Sequence, residues 1–76
     1  MFTREISIVN PMAAKKFVDT TSKYRDFAIR LRNGDYLIDG RSIMGLLSLD
    51  PDQITELVIE DEPSKEFLKE MAPFKV

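Results

Sequence analysis

The dipeptide Asn33-Gly34 restricts the fold of this chain more than any other feature. It lies between two short runs, Asp26 to Arg32 and Asp35 to Asp39, and Asn-Gly between alternating runs is the strongest short-range signal for a β-hairpin. The expected turn is type I′, whose two central residues both take positive φ. In the first run Phe27, Ile29 and Leu31 fall on one side, with Asp26, Ala28, Arg30 and Arg32 on the other. The hairpin therefore has one face to bury.

Two more segments repeat that period. From Phe2 to Val9, Phe2, Ile6 and Ile8 oppose Thr3, Glu5 and Ser7, with Arg4 as the exception on the apolar side; from Ile54 to Glu60, Leu57 and Ile59 lie inward between Glu56, Val58 and Glu60. Helical spacing fills the intervals. Asn10-Pro11 is a helix start, because Asn is a good N-cap and proline's missing N–H costs nothing in the first turn. Ala14, Phe17, Val18 and Thr21 then share a face. A short helix is expected over Ile43 to Leu47 and closed by Pro51, and a last one after Asp61-Glu62-Pro63, with Ser64, Phe67, Leu68 and Met71 on one face. Pro73 is expected to stop that helix, and the tail through Val76 to fray.

The resulting order is β-α-β-β-α-β-α in one domain, residues 1–76. Since each strand has a single apolar face, the economical packing is an α+β arrangement: a four-stranded antiparallel sheet with helices packed on one face. A chain of this length buries only about 60% of its unfolded surface and cannot support two cores.

Composition narrows the function classes. With 43% apolar and 32% charged residues the chain is globular, and no apolar run approaches the roughly 20 residues of a membrane span. Arg4 and Glu5 interrupt any signal-peptide pattern, so a cytoplasmic protein is expected. Residues 1–41 carry eight Lys/Arg and five Asp/Glu, residues 42–76 three and eight. The cations Lys15, Lys16, Arg25, Arg30 and Arg32 are not interleaved with stacking aromatics, so no direct nucleic-acid role is expected.

The absence of both histidine and cysteine rules out the usual hydrolytic triads and thiolate chemistry. Asn33-Gly34 and Asp39-Gly40 lack the glycine and lysine spacing of a phosphate loop. Asp50, Asp52, Glu56, Glu60, Asp61 and Glu62 lack the ligand spacing of a cation loop. The reading is a non-enzyme without catalytic residues, cofactor or metal.

What remains is the stretch Asp39 to Leu49. Ser42 stands where its hydroxyl can accept a hydrogen bond from the first free N–H groups of the short helix. Ile43, Met44 and Leu47 fall together on one side of that helix, while Leu46 and Leu49 are expected to point into the core. The run Arg41-Ser42-Ile43-Met44-Gly45-Leu46-Leu47-Ser48-Leu49 resembles the regulatory-serine segment of HPr, the small phosphocarrier of the bacterial sugar phosphotransferase system, and of the HPr-like catabolite-repression protein.

The resemblance extends more weakly along nearly the whole chain and implies an open-faced β-sandwich. It also implies phosphorylation of Ser42 by HPr kinase, and docking of the phosphoprotein on a transcriptional regulator, catabolite control protein A. Partner contacts would then fall on Arg41, Ile43, Met44 and Leu47, with arginine at a place where the family usually has lysine. The family's carrier histidine, in a loop ending His-x-Arg-Pro, has no counterpart in Ile8-Val9-Asn10-Pro11-Met12-Ala13-Ala14. Asn10 lies near its position, and an amide cannot accept and release phosphate. The expectation is an HPr-like regulatory adaptor without phosphohistidine chemistry; the alternative is a phosphorylation-independent protein-binding module or decoy on the same fold.

Overall fold

The computed structural model describes residues 1–76. In chain order it comprises β1 (Phe2–Ile6), α1 (Pro11–Thr21), β2 (Arg30–Asn33), β3 (Tyr36–Asp39), α2 (Ile43–Leu47), β4 (Thr55–Ile59) and α3 (Lys65–Glu70), followed by a 3-10 turn, Ala72–Phe74. The four strands form one antiparallel sheet in the order β1-β4-β2-β3. Its covered face supplies Ile6, Ile29, Leu31, Leu57 and Ile59 to a core completed by Ala14 and Phe17 of α1, Leu46 of α2, Phe67 and Met71 of the α3 segment, and Phe74. This is the one-sided α+β sandwich expected from the strand periodicity.

Four local expectations are corrected. The hairpin turn is centred on Gly34 and Asp35, since Asn33 pairs with Tyr36 as a strand residue. Gly34, at φ 59°, is the single residue with positive φ, which is the sign pattern of a type II′ turn rather than type I′. Asn33 is drawn inward because its amide donates to the carbonyl of Asp50 and the hydroxyl of Thr55, both at 3.1 Å, and accepts the Asp50 N–H at 2.9 Å. That buried amide fastens the segment before β4 to the hairpin.

The first strand stops at Ile6 instead of Val9, and the second begins at Arg30 instead of Asp26. Phe27 nevertheless packs against the core, held by aromatic contact rather than by a ladder: its ring meets Phe67 edge-on at 5.2 Å. The tail does not fray as far as expected. Phe74 is buried against Phe17 in an edge contact at 5.1 Å, and its carbonyl accepts the Ser7 N–H at 2.8 Å. Arg4, the polar residue on the apolar side of β1, lies over the Phe2 ring at 5.3 Å, so its charge stays solvated while its stem covers aromatic surface.

Candidate functional site

The segment joining β3 to α2 is pinned from several sides. Asp39 accepts the Arg41 N–H on its side chain at 2.9 Å and the Ser42 N–H on its carbonyl at 3.1 Å. Gly40 donates to the carbonyl of Ile29 at 2.8 Å and accepts the Thr21 hydroxyl at 2.9 Å. The start of α2 is thereby tied to β2 and to the end of α1. Gly45 lets α2 lie close on the edge strand, since a Cβ there would come within 2.4 Å of the Ile38 methyl.

Ser42 caps this helix as the local pattern predicts: its Oγ accepts the Gly45 N–H at 3.1 Å and its backbone is extended, φ −98° and ψ 109°. The residue is half-buried. Beside it Ile43, Met44 and Leu47 are 36%, 74% and 52% exposed, whereas Leu46 is buried and Leu49 packs partly against the core. A helix of five residues thus carries one core anchor and three apolar side chains open to solvent.

Arg41, the fourth residue expected to meet a partner, is half-buried. Its guanidinium turns inward and donates to the carbonyl of Phe27 at 2.7 Å and to that of Tyr24, with Nε buried and unpartnered. A planar guanidinium is suited to such a double carbonyl contact, because its donors are held in a fixed fork.

Sequence reading missed the cluster on the far side of Arg41. The Tyr24 phenol donates to the Glu70 carboxylate, which also receives the Lys23 ammonium at 2.5 Å. The hydrogen bond to Glu70 is the main cause that pushes Tyr24 up to about 12. Lys23 first and Tyr24 second hold the Glu70 carboxyl below its ordinary value. With Tyr24 and Glu70 46 positions apart, no local spacing signals this contact.

The remaining sequence candidates are dispersed. Lys15 pairs with Asp19 on α1 at 3.0 Å, while Arg30 and Arg32 pair with Glu60 and Glu56 across the open face of the sheet. These cations do not form one stripe. No three carboxylates converge into a group that could hold a metal ion, and no helix is long and apolar enough to cross a membrane. Asn10 caps α1, its Oδ1 accepting the Ala13 N–H at 2.8 Å, and the chain has no histidine at this position or elsewhere.

No curated protein matches the sequence. Among solved structures, the crystal structure of HPr-C-His from Thermoanaerobacter tengcongensis is similar to this chain with a TM-score of 0.72 and 25% sequence identity, over 96% of this chain and 89% of that one. The family model PTS-HPr, described as the PTS HPr component phosphorylation site, matches residues 3–74. A match over nearly the full length, joined to the one-sided four-stranded sheet, places this chain in the HPr family of the phosphotransferase system.

Proposed function

We propose that this HPr-family chain is a regulatory adaptor that carries no phosphohistidine and is switched at Ser42. The supporting observation is the juxtaposition at α2 of a half-buried capping hydroxyl with the solvent-exposed side chains of Ile43, Met44 and Leu47. A phosphoryl group on Ser42 would add nearly two negative charges where free N–H groups of the first turn favour an anion, so α2 would persist. Its consequence is a new anion beside an apolar face, which a partner reads with an arginine and an apolar pocket. Met44, flexible and polarisable, adapts to such a pocket. The guanidinium of Arg41 serves here as an internal strut, by virtue of its two carbonyl contacts.

The partners that fit are HPr kinase and a catabolite-control regulator. Incubation with HPr kinase and ATP, followed by intact mass, tests the reading: one phosphate is expected on the wild type and none on Ser42→Ala. An unmodified wild type would overturn it. A phosphate that persists in Ser42→Ala would assign the switch to another hydroxyl, Ser48 first.

A second reading draws on the exposure of Ile43, Met44 and Leu47 without any phosphate. It makes the chain a phosphorylation-independent binding module or decoy for sugar-transport proteins. Capture of one partner equally by wild type and Ser42→Ala, and its loss in Met44→Ser, distinguishes this module from the switch.

A further inference from the structure

The ladder between β1 and β4 ends at Ile6 and Thr55. Continued by one step, the register would set Ser7 against Ile54; instead the two segments part, the one after β1 running on to Asn10 and the other wall rising through Asp50 to Ile54. Between them lies a groove of about 830 Å³. Three properties of its walls define what it can hold.

The first is apolar. Val9 and Ile54, 77% and 67% exposed, line the groove together with Leu47. The second is unspent backbone. Ser7 gives its N–H to the carbonyl of Phe74, but the N–H groups of Ile8, Val9 and Ile54 make no backbone hydrogen bond. An extended segment with free amides next to exposed aliphatic side chains is what strand addition uses, backbone bonds giving affinity and side-chain contacts giving selectivity. The third is charge. Glu5, Asp50 and Asp52 line the groove, none of them in a salt bridge, against the single cation Lys75.

We infer that this forked end of the sheet docks an extended cationic, aliphatic segment of a partner protein. The partner's Val, Leu or Ile side chains pack on Val9, Leu47 and Ile54, one of its carbonyls accepts from the Ile8 amide, and its Lys or Arg heads reach Asp50 and Asp52. The groove shares Leu47 with the surface at α2 but needs no phosphate on Ser42. It therefore stands or falls separately from the proposed switch.

The test uses the full-length, unphosphorylated chain, isotope-labelled and titrated with three short synthetic peptides: one alternating Lys and Val, one alternating Glu and Val, and one alternating Lys and Ser. Binding is expected from the Lys/Val peptide alone, with the largest amide shifts at Ile8, Val9, Ile54 and Thr55. The double variant Asp50→Asn, Asp52→Asn keeps the acceptor that the Asp52 N–H uses in the local turn while removing the charges, and should weaken binding about tenfold. Ile54→Ser should weaken it comparably, and the melting temperature should stay near that of the wild type because these side chains are exposed.

Equal binding of the Glu/Val peptide would overturn the inference, as would no binding by any of the three. Shifts centred on Met44 or on the open face of the sheet would also overturn it. So would concentration-dependent association of the chain alone through Val9 and Ile54, which would make a second copy the occupant.

Discussion

Two serines begin two helices in this molecule, and the same hydrogen bond is made at both. Ser42 accepts the Gly45 N–H at 3.1 Å and Ser64 accepts the Phe67 N–H at 3.2 Å. Past the caps the two helices differ. After Ser64 the exposed positions are Lys65, Glu66 and Lys69, while Phe67 is sealed between Tyr24 and Phe27 in edge contacts of 5.2 Å. After Ser42 the exposed positions are Ile43, Met44 and Leu47, and only Leu46 reaches the core. Capping is thus a local service available to any helix. The neighbours decide whether the start of a helix is scaffold or surface.

The widest separation between the two regions should come from their apolar residues. Phe67→Ala removes a fully buried ring and should cost about 3–5 kcal/mol, whereas Met44→Ala should stay within about 0.5 kcal/mol. Urea denaturation reads both, and a Met44 loss approaching that of Phe67 would erase the contrast. Next in size come the caps themselves. Ser42→Ala and Ser64→Ala should each lose about 1 kcal/mol, and similar losses would confine any difference between the two serines to binding experiments.

The smallest effect belongs to the α3 side alone and appears as pH dependence. Glu70 is held below its ordinary carboxyl value, first by Lys23 and then by Tyr24. Its contribution is present above that ordinary value and is lost as the pH falls through the lowered one. Tyr24, raised to about 12 from 10.0 chiefly by its bond to Glu70, contributes fully below its ordinary value, and that contribution disappears as the pH rises through about 12. Tyr24→Phe should abolish the alkaline arm and shrink the acid arm, leaving the part due to Lys23. Denaturation across a pH series checks this, and an unchanged alkaline arm would remove Tyr24 from the account.

The strand period of Leu31, Leu57 and Ile59, the helix caps Asn10 and Ser42 and the outward set of Ile43, Met44 and Leu47 were all legible in the chain, because each depends on neighbours within a turn or two, whereas Ser64, expected on a helical face, caps α3 instead. Asn33 was not. Its residue type argued for a turn, yet a buried tertiary demand from Asp50 and Thr55 made it a strand residue and moved the turn on by one position. The early end of β1 was equally hidden, since alternation continues through Ile8 while the ladder on β4 does not. Arg41 and the Tyr24–Glu70 contact lie beyond local reading altogether. Their partners are 14 to 46 residues away, and nothing in the spacing announces them.

The placement of β1 has a consequence for how the molecule is made. Its only strand neighbour is β4, with Phe2 meeting Ile59 and Ile6 meeting Thr55, and its one further bridge is to Lys75. β1 must therefore wait for β4, 49 to 57 positions further along the chain, before it gains a partner strand. Such far-separated pairing forms late and slows assembly. A nascent chain released before β4 would hold the hairpin of β2 and β3 but leave β1 without its partner strand, and that incomplete species is where association with other chains is most to be expected.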